Sequence, residues 1–205
     1  MRFLASAVVL LLVLARCGTW ALDVAVVPNA PSFGARAALR GLERRVDDGE
    51  QARMRAIFPE GGLFTLSFTG FSLVNLAVQN PNDKALREHA KSELKKLLAL
   101  SGAEAKVPPF SSSRLRTDVT GGDGWRSVIL AGHRNLLRAG YAELGGDDER
   151  ILDDFHRTSA TLFVRFVRSP SGALESFGGR TWYVDNVVAL ESLRLHDQLY
   201  GTHYG

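Results

Sequence analysis

RTWYVDNVVALESLRLHDQLY, Arg180 to Tyr200, reads as one apolar helix with a Trp, an Asp and an Asn in its first turns. Two earlier stretches echo it: GLFTLSFTGFSLVNLAV from Gly62 and GWRSVILAGHRNLLRAGYAEL from Gly124. Aligned by their small residues, Gly70, Gly132 and Ala189 share one register, as do Ala77, Ala139 and His196, and Trp125 coincides with Trp182. A polar turn follows each stretch, at Asn80, Gly145 and Tyr200. The spacing is roughly 60 residues, which suits a helix pair with its loops rather than a shorter solenoid unit.

Between these stretches lie helices of a second kind. Lys84–Leu100 carries Leu86, Ala90, Leu94, Leu97 and Leu98 on one stripe, with Lys and Glu elsewhere. Asp147–Val167 does the same with Ile151, Leu152, Phe155, Leu162, Phe163 and Phe166. By contrast Leu63–Val78, with Phe64, Phe68 and Phe71 on different sides, is apolar nearly all round and must be covered on both faces. Trp125–Leu144 and Trp182–Leu199 read as the same buried type. Fully buried and one-sided helices in strict turn predict an all-α protein with an inner and an outer layer. The closed form of that pattern is an (α/α) toroid, of which this chain supplies about three hairpins.

Ahead of the first buried helix, Ala35–Phe58 has a helical period that Asp47-Asp48-Gly49 interrupts, and Leu22–Gly34, with Pro28 and Pro31, is expected to be an extended lead-in. Met1–Ala21 reads as a secretory signal: Arg2 opens it, Phe3–Ala15 is too short an apolar run to span a bilayer comfortably, and Thr19-Trp20-Ala21 is a small-x-small cleavage site. An uncleaved anchor is one alternative, and Cys17 offers a lipoprotein as another, but Arg16 stands where a lipoprotein signal needs a small residue. The toroid domain then covers residues 35–205.

Removing that segment with Arg2 and Arg16 lowers the formal charge from +3 to about +1, so electrostatic support for nucleic-acid binding is lost. Cys17 is the only cysteine, which leaves the processed chain without disulfide or thiol chemistry. A periplasmic or secreted protein held by its core alone is expected. A six-hairpin ring at this spacing needs roughly 300 residues or more. The chain therefore reads as the N-terminal part of a larger ring, joined by its missing C-terminal half through the open edge. The alternative is a half-ring closed by self-association.

Turns from buried to one-sided helices are short, whereas Ser101–Asp123 and Ser169–Arg180 are long. Both long connections thus fall over the N-termini of the buried helices, where binding residues concentrate. The candidates there are Asp118, Asp123, Trp125, Glu175, Arg180, Trp182, Tyr183, Asp185 and Asn186. With Thr181 as cap, Trp182, Asp185, Ala189, Ser192 and His196 share one helical face and form a polar, small-residue cavity wall. Asp185 reads either as an acid favoured by the helix N-terminus or as a ligand-binding or catalytic carboxylate. Glu175 reads either as solvated or as its partner in a carboxylate pair of the sort glycoside chemistry uses. Trp125 and Trp182 either plug the end of the barrel or offer aromatic faces for a sugar ring, Tyr183 is a further ligand-binding candidate, and Asn186 either binds ligand or ties helix to loop. His133, with Tyr141 two turns on, is a buried histidine or a second polar group of the cavity. No metal-ligand spacing, nucleophile elbow or phosphate loop occurs, and no cofactor is expected.

GWRSVILAGHRNLLRAGYAELGGDDERILDDF and ESFGGRTWYVDNVVALESLRLHDQLYG resemble the six-hairpin (α/α) toroid superfamily, from about Leu39 onward. That resemblance implies a glycoside hydrolase, polysaccharide lyase or epimerase, or a linalool dehydratase-isomerase-type domain. The segment Trp182–Asn186 is similar to cavity-lining segments of the last group and of sugar-active members. The leading expectation is an exported enzyme acting on a carbohydrate or similar polyhydroxylated small molecule or oligosaccharide, with Asp185 and Glu175 as its acids. A non-catalytic helical-repeat protein using its open edge, and a lyase or dehydratase on an apolar alcohol, are the alternatives.

Overall fold

The computed structural model describes residues 33–110, 127–177 and 179–205. The signal segment 1–21, nearly all of the lead-in, and Asp118, Asp123 and Trp125 lie outside them. Among the described residues there are seven α-helices and no strand: α1 (Phe33–Asp47), α2 (Glu50–Ile57), α3 (Gly61–Val78), α4 (Lys84–Glu104), α5 (Val128–Glu143), α6 (Glu149–Arg168) and α7 (Tyr183–Tyr200). The protein is all-α, as its periodicity implies.

Local chemistry sets most boundaries. Gly49 breaks the first period because it takes φ 81°, a left-handed conformation that side chains disfavour. Asp83, Ser127 and Asp148 cap α4, α5 and α6 by accepting from the amides of Leu86, Leu130 and Ile151 at 2.9, 3.3 and 3.3 Å. Two expectations need correction. The lead-in does not reach Gly34, because α1 already begins at Phe33. Thr181 does not cap α7: Trp182 occupies that position and makes no side-chain cap bond.

Contacts advance together along α3 and α5: the ring of His133 packs on Phe64, Phe68 and Phe71, Gly70 faces Leu137, and Gly140 faces Val74. They also advance together along α5 and α7, from Gly132 on Ala189 to Asn135 on Ser192 at 3.0 Å. These three helices are therefore parallel. Helices α1, α4 and α6 run the opposite way. Glu104 meets Gly62 while Leu94 and Leu97 meet Gly70, so α4 is antiparallel to α3. Asn135 donates to Ser159 and Arg138 to Thr158 at 3.0 and 3.4 Å, which sets α6 antiparallel to α5. The ion pairs Arg36–Asp83 and Asp47–Lys96 and the hydrogen bond between Glu43 and His89, at 2.7–2.8 Å, align α1 with α4. Because α4 touches both α3 and α5, and α6 both α5 and α7, these two helices each cover a seam between two parallel ones.

Burial follows from these neighbours. Helix α5 has partners on both flanks and is enclosed along nearly its whole length. Leu66, Leu73, Leu94, Leu97, Leu137 and Tyr141 join α3, α4 and α5 in one core, and full burial of each such aliphatic side chain contributes roughly 1.5–3 kcal/mol. The expectation that α3 and α7 are covered all round fails, because each has a parallel neighbour on one side only. Phe68 on α3 is 55% exposed, and a face of α7 is open. Among the described residues α3 alone is long and apolar enough to cross a membrane, and 56% of that span is buried within the fold.

Candidate ligand site at the start of the last helix

The described parts of the two long connections meet. Phe110 stacks on Phe177 at 5.9 Å, and Phe177 meets the Trp182 ring edge-on at 5.4 Å. The second connection is pinned to the start of α5: the Val128 amide donates to Glu175 O at 2.8 Å and the Ser127 hydroxyl to Ser176 O at 2.8 Å. Asn186 pins it to α7. Its amide accepts from Leu174 N at 2.7 Å and donates to Leu174 O at 3.1 Å and Trp182 O at 2.9 Å. Every one of those bonds is to backbone, so Asn186 sets the loop on the helix.

Asp185 lies one residue before this clamp. It is 4% exposed, and the Ser176 hydroxyl hydrogen-bonds its carboxyl. Ser176 is itself oriented by accepting from the Trp182 amide at 3.1 Å. The second carboxylate oxygen, Oδ2, is buried without a hydrogen-bond partner among the described residues. Burial pushes the Asp185 carboxyl above the ordinary aspartate range, and the Ser176 bond opposes that only in part. A buried acceptor without a donor costs about 1–3 kcal/mol.

The other candidates divide. Trp182 is 45% and Tyr183 71% exposed, so their rings stand on the surface beside the buried acid. Glu175 accepts from the Gly179 amide and closes its own turn. Among the described contacts it does not touch Asp185. His133 faces α3, across α5 from α7. Its Nδ1 has no partner among the described residues, and burial lowers its pKa to about 4, which keeps the ring neutral. The face carrying Asp185, Ala189, Ser192 and His196 was expected to line a cavity. From Ala189 onward it packs against α5 and α6 instead: a Cβ on Gly132 would stand 2.9 Å from that of Ala189, Ser192 accepts from Asn135, and His196 meets Phe155 and His156 of α6.

Two groups escaped the sequence reading. Ser176 supports Asp185 from nine residues upstream, in a stretch whose only signal was its Gly and Ser content. His156 and His196 meet across α6 and α7 with ring nitrogens 2.9 Å apart, a pairing that no local spacing announces. Among the described residues no three His, Cys, Asp or Glu side chains gather as a metal site. No protein-family model, no curated protein and no solved structure matches the chain.

Proposed function

We propose that the chain is part of an exported (α/α) toroid enzyme that receives a carbohydrate or similar polyhydroxylated ligand at the loop end, with Asp185 as the group that meets it. The observation that carries this reading is the buried Oδ2 of Asp185, which has no hydrogen-bond partner among the described residues. A ligand hydroxyl is the donor such an oxygen lacks, and the adjacent Trp182 ring offers a face for the apolar side of a sugar. The upward shift of the carboxyl is in the direction a general acid requires. The row of parallel helices with antiparallel helices over its seams supports the ring, and the open flank of α7 is where further hairpins would continue it. Calorimetric titration with an oligosaccharide panel tests the reading. Wild type is expected to bind at least one member about tenfold or more tighter than Asp185→Ala, the loss of one hydrogen bond to a charged group. Equal affinities, or no binding by any member, overturn it.

A second reading rests on α7 itself. Tyr183, Val184, Val187 (61% exposed) and Leu190 are open on one face of its first two turns, and a contiguous apolar face commonly marks an interface. On this reading the protein is a helical-repeat module that pairs through that edge with a second copy. Light scattering is then expected to give a dimer that Val187→Arg dissociates. A wild-type monomer across micromolar concentrations removes the reading.

A further inference from the structure

At the far end of α7 from Asp185 lies a cluster that neither functional reading uses. His196 is buried among the rings of Phe155, Tyr200 and Tyr204, with centroids 4.9–5.1 Å away. Its Nδ1 is 2.8 Å from Thr202 Oγ1, and its Nε2 is 2.9 Å from His156 Nδ1. The Thr202 hydroxyl donates to Asp197 Oδ1 at 2.6 Å, and Asp197 also accepts from the amides of Tyr204 and Gly205. Although burial opposes it, bonds from Thr202, Gly205 and Tyr204 hold the Asp197 carboxyl below the usual range, so it is an ionised acceptor.

These contacts fix the tautomers. The Thr202 proton is committed to Asp197, so the Thr202 oxygen must accept from His196, which places the His196 proton on Nδ1. Nε2 then carries the lone pair, and the exposed His156 donates to it from Nδ1. The chain runs from solvent through two rings and a hydroxyl to the carboxylate that holds the turn after α7.

We propose that the His156–His196 contact is a proton-operated latch between α6 and α7. One added proton can be shared between the facing nitrogens. A second leaves two N–H groups opposed at 2.9 Å on two cationic rings. His156, on the surface, then turns out to water and the seam loses its polar tie. Facing His196 are His156 and Phe155 from α6, Asp197 and Tyr200 from its own helix, and Thr202 and Tyr204 from the terminal turn. Among the described residues, the charged groups acting on it are His156, which with burial disfavours its protonation, and Asp197, which favours it.

Histidine ring 15N spectra and amide hydrogen exchange on the full chain from pH 8 to pH 5 test the latch. At pH 8 His196 is expected as the Nδ1–H tautomer. On acidification, opening at Phe155–Thr158 and Leu193–Tyr200, corrected for intrinsic exchange, should rise by up to about tenfold per pH unit, the limit for one linked proton. His156→Gln, whose amide can donate or accept, should hold the seam closed and flatten that response. The acid penalty at His133 is common to both proteins, so their difference isolates the latch. An Nε2–H tautomer at His196, or an unchanged response in His156→Gln, overturns the proposal.

Discussion

Gly132→Val destabilises the protein by about 3 kcal/mol, at the upper end of overpacking costs. A Cβ at Gly132 would stand 2.9 Å from the Ala189 Cβ and amide nitrogen and 3.0 Å from its Cα. Those atoms belong to the backbone of α7 or are fixed to it, so relief requires moving α7 off α5. Ala189→Phe pushes on the same seam from the other side. Gly70 is a useful contrast, because a Cβ there meets the ends of Leu137, Leu94 and Leu97 side chains, which can turn aside. Gly70→Ala is therefore expected to cost clearly less than Gly132→Val. Urea unfolding of the variants checks the order. Equal midpoints for wild type and Gly132→Val would contradict the parallel packing of α5 on α7.

Acidification removes about 3 kcal/mol of stability through His133 alone. The pKa of that ring is about 4 in the folded protein against 6.5 for the free side chain, and each unit of difference corresponds to about 1.4 kcal/mol. Since the folded value is the lower one, the unfolded chain binds the extra proton. Stability is intact above about pH 6.5 and falls as the pH drops toward 4. The lowered pKa of His196, set first by burial and then by His156, acts in the same direction. His133→Leu keeps the contacts with Phe64, Phe68 and Phe71 but has nothing to protonate. Urea titrations at pH 7 and pH 4 should show a smaller acid loss in this variant than in wild type. Identical losses would mean that His133 is not buried neutral.

The alternation of helix types was legible because it is a local property. A stripe such as Leu86, Ala90, Leu94 and Leu97 can be buried in one way only, and a helix such as α5, with small and apolar residues on several faces and two glycines, needs neighbours on both flanks. The shared register of Gly132 and Ala189 in sequence becomes a direct contact in space. Periodicity fixes which residues share a face, but not whether a cavity or another helix covers it. That is why Ala189, Ser192 and His196 read in sequence as part of a cavity wall and are packed against neighbouring helices, while Tyr183 and Val187 stay open. Long-range polar pairings were out of reach for a different reason. Ser176 with Asp185, Asn186 with Leu174 and His156 with His196 depend on how the loops and helices return on each other, and no spacing encodes that.

Asp185 distinguishes a fold-supporting acid from one kept for a ligand, because the two roles give opposite signs of stability. An acid favoured by the helix N-terminus stabilises the fold when ionised, so Asp185→Asn would lower stability at neutral pH. A buried carboxylate with one unpartnered oxygen is penalised when ionised, as its raised pKa expresses. The penalty is full above the folded pKa and vanishes below the unfolded value of 3.8. The decisive measurement is the unfolding free energy of wild type and Asp185→Asn at pH 7 and at pH 3. The expected result is a variant more stable than wild type at pH 7, with the difference gone at pH 3. A variant less stable at pH 7 would show that Asp185 serves the helix, and would contradict its assignment as the ligand-binding acid.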